Sequence, residues 1–220
     1  MSVWNKLRKS KLSAAISSLS IAFAGLALSV TGAQATPTYS LAWAGTSASA
    51  TTTSILTMPL SGSSPTTAVS GTIGSAIAAD ATSLYFVRNG DLVKTDFTGA
   101  NMVTLKAGVG TSIDSIAVAG SNLYLYESAG GIYKVAVTGG TPTRFDVGAS
   151  TFHPQTASWA AGNQIGATST DLYWVESDGL HKQALSGSSD SLFATNAAMT
   201  GNPSNLGAWA ANAVSVTNGV

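Results

Sequence analysis

The chain has 220 residues, of which 45% are hydrophobic and only 9% are charged, with ten basic side chains, ten acidic side chains and no cysteine. The lack of cysteine excludes disulfide bonds, thiolate metal sites and a lipid anchor on an N-terminal cysteine. The sparse charge offers no cluster of lysine and arginine of the kind that nucleic acids or anionic lipids bind.

The first 35 residues have the three parts of a secretory signal peptide. A basic start between Lys6 and Lys11 precedes an apolar run at 14–30, and Ala33-Gln34-Ala35 places small residues at −3 and −1 of a cleavage site. We therefore expect cleavage after Ala35 and a single domain over residues 36–220; an N-terminal membrane anchor is the alternative. That domain has six basic against ten acidic side chains, a net charge of −4, and is expected in the periplasm or outside the cell, free of the membrane.

One sequence cassette occurs four times between residues 41 and 187. Each copy has a Leu-x-aromatic strand, a short gap, and then a strand and turn of the form [Ile/Leu]-x-[Lys/Thr]-x-x-apolar-[Ser/Thr]-Gly. The period of about 37 to 48 residues between the turn glycines is that of a propeller blade. The second half of the cassette aligns without a gap at Ile55–Gly62, Leu92–Gly99, Ile132–Gly139 and Leu180–Gly187.

Two further strands complete each copy. An isoleucine strand precedes the Leu-Tyr strand by seven residues, with small polar residues between them, which indicates a β-hairpin. A short apolar strand follows the glycine turn, so each unit becomes a meander of four strands that must stack on its neighbours. The opening strands are predicted at Ile77, Ile116 and Ile165, and the last strands at 102–105, 143–145 and 191–193.

The first repeat lacks an opening strand, and the C-terminal end has one opening strand too many. The chain enters at Tyr39–Trp43 without an opening strand, and 214–219 matches an opening strand with no Leu-Tyr strand after it. We therefore predict an all-β fold, a β-propeller of four-stranded blades, with four blades and strand 213–217 completing the N-terminal blade by pairing with 39–44. A partial ring, or a larger propeller completed by a second copy, is the alternative.

The fourth copy resembles the YWTD repeat. Leu172–Glu176 followed by Leu180–Ser188 is similar to the family pattern Leu-Tyr-Trp-Thr-Asp and Ile-x-[Arg/Lys]-x-x-Leu-x-Gly-Ser, and similar repeats occur in exported bacterial propellers of the NHL and TolB-like kind. The family aspartate is replaced by Glu127, Arg88 and Gly45 in other copies, and YWTD rings have six blades. The resemblance implies blade folding and, at the level of fold alone, binding of proteins or peptides across one face.

No catalytic, cofactor-binding or metal-binding residues are predicted, because the sequence shows no nucleophile or phosphate-loop motif, no third donor for a zinc site based on histidine and no Asp-rich loop for calcium. We interpret His181 as a surface residue of its strand, and Glu127 and Glu176 as caps of the turns that follow them. Three lysines at equivalent positions either form a basic ring for an anionic ligand or cover the sheet with their aliphatic stems. These are Lys94, Lys134 and Lys182.

An insertion at 149–163 lengthens the spacing between the last two isoleucine strands from 39 to 49 residues. A loop with aromatic side chains on a rigid scaffold is a candidate binding loop, although the same aromatic side chains would also serve to plug the ring. The candidate residues are Phe152, His153, Gln155 and Trp159.

These observations predict an exported, non-enzymatic β-propeller that binds a protein or small ligand, needs no cofactor, and is a monomer or a homodimer. One alternative is a propeller-fold lyase or hydrolase with loop carboxylates, which requires acidic and basic side chains to converge. Another is a truncated propeller fragment without independent function. The residues that would converge in the lyase or hydrolase are Glu127, Glu176, Arg88, Arg144 and a histidine.

Overall fold

The computed structural model describes residues 22–23, 26–31, 38–46, 53–59, 64–127, 130–146, 165–176 and 178–195. In these residues the chain forms seventeen β-strands in four antiparallel sheets, each with its strands in chain order. None of this described part is a helix that is long and apolar enough to cross a membrane.

The first sheet has five strands and each of the others has four. The first sheet contains β1 (Ala22–Phe23), β2 (Leu26–Thr31), β3 (Thr38–Thr46), β4 (Thr53–Pro59) and β5 (Thr66–Gly71). The second contains β6 (Ile73–Ala79), β7 (Leu84–Arg88), β8 (Asp91–Thr95) and β9 (Val103–Lys106). The third contains β10 (Ser115–Ala119), β11 (Asn122–Glu127), β12 (Gly131–Ala136) and β13 (Thr143–Arg144). The fourth contains β14 (Ile165–Ala167), β15 (Asp171–Val175), β16 (Gly179–Ala184) and β17 (Asp190–Thr195).

The repeat read from the sequence becomes one sheet per cassette. The isoleucine strand, the Leu-Tyr strand, the lysine strand and the last strand are neighbours in that order in the second, third and fourth sheets. The same tyrosine and lysine are cross-strand partners in all three. These pairs are Tyr85↔Lys94, Tyr124↔Lys134 and Tyr173↔Lys182. The prediction of an all-β fold built from four-stranded antiparallel blades is confirmed.

Each sheet packs on the next through an apolar core. Side chains alternate along a strand, so Leu84 and Phe86 of β7 join the core shared with the first sheet, while Tyr85 and Val87 join the core shared with the third. A third core joins the third sheet to the fourth, where Trp174 is fully buried. The continuous apolar run of the Leu-Tyr strands in the second and third sheets is therefore explained by sheets that are covered on both faces.

Two turn glycines of the cassette, Gly99 and Gly139, lie where consecutive sheets approach each other. Gly139 has a φ of +94°, and a Cβ at this position would lie 2.6 Å from the Leu105 carbonyl oxygen of the second sheet. Gly99 has a φ of +83°, and a Cβ there would overlap the Ala68 carbonyl of the first sheet. At these two positions the motif therefore needs glycine for two reasons, a left-handed backbone and close contact with the preceding sheet.

One strand from each of the four sheets follows the next through the stack. β2 lies against β6, β6 against β10, and β10 against β14. β2 also pairs with the edge of β3, where Leu28 is opposite Leu41 and Val30 is opposite Tyr39. In this structure β2 therefore occupies the edge that we predicted for strand 213–217, and that strand lies outside the described residues.

Within the part of the chain that the structure describes, the four sheets form an open stack. Shared cores join the first sheet to the second, the second to the third and the third to the fourth, and none joins the fourth to the first. The first sheet has five strands because β1 continues the edge beyond β2. Closure into a ring with four blades, and the signal peptide over residues 1–35 that contains β1 and β2, both stay predictions.

Candidate functional site

The fourth sheet contains a buried histidine. Along β16 the odd-numbered residues Gly179, His181 and Gln183 are buried while Lys182 lies on the other face, and His181 is only 2% exposed. The interpretation of His181 as a surface residue is therefore wrong. The physical reason is strand alternation, because an outward Lys182 forces its neighbour inward.

Two carboxylates hold the imidazole of His181. Its Nδ1 lies 3.0 Å from Oδ2 of Asp190, and its Nε2 lies 2.8 Å from Oδ1 of Asp178. A third carboxylate approaches the same ring nitrogen, with Oε2 of Glu176 at 3.8 Å from Nε2. The side chains of Glu176 and Asp190 are 1% and 6% exposed, whereas that of Asp178 is 39% exposed. The cluster thus reaches from the core to the surface through Asp178.

Trp174 fixes the inner side of this cluster. Its indole N–H donates a hydrogen bond of 2.7 Å to Oε1 of Glu176, and its ring stacks on His181 with a centroid distance of 5.8 Å. The predicted cap of the following turn by the Glu176 side chain stays a prediction, because Ser177 of that turn lies outside the described residues. The indole holds the carboxylate beside His181, and Oε2 is the oxygen that faces the imidazole.

Opposing effects set the charge of His181. Burial lowers the pKa of the imidazole, but the hydrogen bond to Asp178, the charge of Glu176 and the hydrogen bond to Asp190 outweigh it and leave the pKa above its ordinary value. An imidazolium can donate from both nitrogens, which matches the two short contacts to carboxylates. The three carboxylates around His181 therefore favour its protonated form.

Glu176, Asp178 and His181 form a set of possible metal ligands. One donor atom from each lies within 4.8 Å of the others, and all three come from the short segment that ends β15 and begins β16. The sequence analysis did not find this set, because an isolated Glu-x-Asp-x-x-His segment between two strands is typical of an ordinary turn. The available signal was the apolar character of the position that His181 occupies in the other copies, which are Leu56, Val93 and Tyr133.

The three repeated lysines each lie over the ring of their cross-strand tyrosine. The ammonium of Lys94 is 5.6 Å from the centroid of Tyr85, and that of Lys182 is 5.5 Å from the centroid of Tyr173; Lys134 stands 6.0 Å from its own tyrosine ring. Lys182 also pairs with Oδ1 of Asp171 at 3.3 Å. These contacts favour the interpretation of the lysines as packing residues with favourable cation–π geometry over that of a basic ring.

The convergence that a lyase or hydrolase requires is formed only in part. Glu176 meets His181, but Arg88 donates to the Ser70 carbonyl and to Sδ of Met102 beside the first sheet, and Arg144 pairs with Asp146 in the third sheet. The predicted binding-loop residues lie outside the described residues, so their role stays a prediction. These are Phe152, His153, Gln155 and Trp159.

Comparisons with known proteins give similarity of fold. No protein family and no curated protein matches the chain. A chain in a crystal structure of a nidogen/laminin complex superposes with a TM-score of 0.51 at 11% identity, over 69% of this chain and 57% of that one. A protein of unknown function from Bacteroides thetaiotaomicron VPI-5482 gives a TM-score of 0.46 at 16% identity, with coverages of 80% and 60%. HIRA(644-1017) gives 0.39 at 13% identity, with coverages of 82% and 57%.

The chain thus spans about 57 to 60% of the length of the solved structures that it matches. At these identities the similarity concerns architecture, and membership of the YWTD or NHL group stays a resemblance. Together with the stacked four-stranded sheets, the match to the nidogen/laminin chain shows that the protein has a β-propeller fold.

Proposed function

We propose that the protein is an exported, non-enzymatic β-propeller that acts as a binding module in the bacterial envelope or outside the cell. Stacked sheets with shared cores form a rigid scaffold, and such scaffolds present their outer strands and loops to partners. The chain in the nidogen/laminin complex, which has a similar fold, was solved together with another protein, and this supports a partner of the same class, a folded protein.

An exposed aromatic side chain on the last strand carries this proposal. Leu192 and Phe193 of β17 are 45% and 59% exposed, and Phe193 meets Tyr173 edge to face with ring centroids 5.7 Å apart. β17 is the outermost strand of the fourth sheet, farthest from β14. Phe193 lies on the Lys182 face of the sheet, because both residues contact the Tyr173 ring, and an exposed aromatic side chain beside a charged one is typical of a protein interface.

Site-specific photo-crosslinking in the producing cell tests this surface. A benzoylphenylalanine at position 193 is expected to give a discrete adduct with one other protein. The matched control is the same group at Val103, which is 54% exposed on the outermost strand of the second sheet but has no large exposed neighbour among the described residues. Absence of an adduct at 193, or equal adducts at both positions, would contradict the proposal.

Export is tested separately by cell fractionation and N-terminal sequencing. Cleavage after Ala35 gives a mature chain that begins at Thr36 in the periplasm or the medium. Recovery of the protein only in the cytoplasm with residues 1–35 attached would rule out export. Partner binding would then still be decided by the crosslinking result alone.

A further inference from the structure

We propose that Glu176, Asp178 and His181 bind a divalent transition-metal ion, with zinc as the best fit, and that this ion ties the end of β15 to the start of β16. The inference goes beyond the proposed binding function, because it concerns the end of the β15–β16 hairpin rather than the exposed face of β17. It stands on the donor geometry, on the groups that orient the donors, and on comparison with the other three sheets.

The three donors are close to the separations that a metal ion requires. Zinc binds imidazole nitrogen and carboxylate oxygen at about 2.0 to 2.2 Å, so donors around one ion stand roughly 3.3 Å apart. Nε2 of His181 is 2.8 Å from Asp178 and 3.8 Å from Glu176, and all three donor atoms lie within 4.8 Å. Adjustments of less than about 1 Å in the side chains would place one ion between them.

Two of the ligands already have the outer contacts that metal ligands use. Metal-bound histidine commonly donates its other ring N–H to a carboxylate, which fixes the ring and its tautomer. Asp190 provides this carboxylate at 3.0 Å from Nδ1, which leaves Nε2 for the ion. Trp174 donates to Oε1 of Glu176 at 2.7 Å, and Oε2 is the oxygen that faces Nε2 of His181.

The blade fold does not require this cluster. The position of His181 is Leu56, Val93 and Tyr133 in the other sheets, and Val93 is buried in a core as an ordinary apolar residue. Burying a histidine and two carboxylates in its place costs free energy. A replacement that costs stability and concentrates ligand atoms at one hairpin is explained by a bound cation.

The donor types favour zinc, and the exposure of Asp178 gives an ion access to the site from solvent. Imidazole favours zinc and similar first-row ions, whereas calcium prefers oxygen ligands alone. The Asp178 side chain is 39% exposed and connects the buried side chains of Glu176 and His181 to solvent. Three protein ligands leave a fourth position for water or for a further donor.

Titration of the untagged full-length protein with zinc chloride, followed by isothermal calorimetry, tests the site. We expect one ion per chain and no saturable heat from calcium chloride. D178N and H181Q are expected to abolish zinc binding, and D190N to weaken it about 10- to 100-fold by removing an orienting carboxylate. The matched control is E127Q, which changes the equivalent glutamate of the third sheet and should leave the affinity unchanged.

A spectroscopic measurement assigns the ligand atom. In protein with 15N-labelled histidine, the His181 signals are identified by their absence from the H181Q spectrum, and zinc is expected to shift Nε2 while Nδ1 keeps its proton. Circular dichroism confirms that D178N, a change at a partly exposed residue, leaves the sheets intact. Absence of saturable zinc binding, or binding that D178N and H181Q retain, would overturn the proposal.

Discussion

Tyr85 shows how one hydroxyl distinguishes two equivalent positions. Tyr85 and Tyr124 occupy the same place in the second and third sheets and are both buried. The Tyr85 hydroxyl donates a hydrogen bond of 2.6 Å to Oδ2 of Asp80, a carboxylate that also accepts from the backbone N–H groups of Thr82 and Ser83. The pair therefore links the Leu-Tyr strand to the turn that precedes it.

We expect Y85F to destabilise the protein by about 1.5 to 3 kcal/mol, because a hydrogen bond to a charged acceptor is lost. Urea denaturation monitored by circular dichroism measures this loss. The control Y124F removes a hydroxyl from the same position of the third sheet, where the cross-strand lysine is likewise retained, and should cost less. Equal losses of unfolding free energy in both variants would show that the hydrogen bond to Asp80 adds nothing to stability.

Tyr85 also predicts a dependence of stability on alkaline pH. Burial, and then the hydrogen bond and charge of Asp80, raise the pKa of the phenol above its ordinary value, while Lys94 is the cation that faces the ring. The folded state therefore prefers the neutral phenol, and its stabilising contribution is present below about pH 10 and is lost as the pH rises above it. Urea midpoints at pH 9 and pH 11 should differ less in Y85F than in the wild type; an identical difference would contradict this assignment.

At the scale of the element, the turn glycine joins one sheet to the preceding one. We expect G139A to cost about 1 to 3 kcal/mol, because alanine is strained at positive φ and its Cβ would lie 2.6 Å from the Leu105 carbonyl oxygen. G187A is the matched control from the fourth sheet, since its Cβ would meet Ala184 at an ordinary 3.4 Å. Thermal melting of both variants measures the difference, and similar melting temperatures would show that the turn tolerates a side chain.

The strands of this fold were predictable from the sequence because their signal is local and repeated. The short apolar runs such as Leu84–Arg88 and its copies, and the glycine turns, place strands and turns within a few residues of those observed. The candidate metal site was harder to predict from the sequence. The inward direction of His181 follows from its apolar counterparts, but Asp190 reaches Nδ1 from the next strand across an irregular register between Leu180 and His181, which no local pattern specifies.

At the scale of the whole molecule, the strand that pairs with the edge of β3 decides whether the stack closes. Residues 27–31 read Ala-Leu-Ser-Val-Thr and residues 213–217 read Ala-Val-Ser-Val-Thr, so four of five positions are identical. Removal of residues 1–35 would remove β2 and free the edge of β3. We expect 213–217 to take that edge in the register of β2, with Val214 in the place of Leu28 opposite Leu41.

A disulfide between introduced cysteines tests this pairing without interference, because the chain has no cysteine. The exported double variant L41C/V214C should form an intramolecular disulfide, since directly opposed residues of antiparallel strands lie within the required distance. The control L41C/S215C is out of register by one residue, on the opposite face, and should remain reduced. An intermolecular disulfide would indicate a ring completed by a second copy, and no disulfide in either variant would contradict closure by this strand.

The sharing of cores also sets how the molecule opens. The second and third sheets each contribute to two cores, whereas within the described residues the first and fourth sheets each contribute to one. Opening an inner sheet therefore breaks two interfaces and opening an outer sheet breaks one, as in a one-dimensional array with nearest-neighbour coupling. Amide hydrogen exchange should be slowest in β7 and β11 and faster in β4 and β16, which makes the interior of the stack the last part to lose its protection.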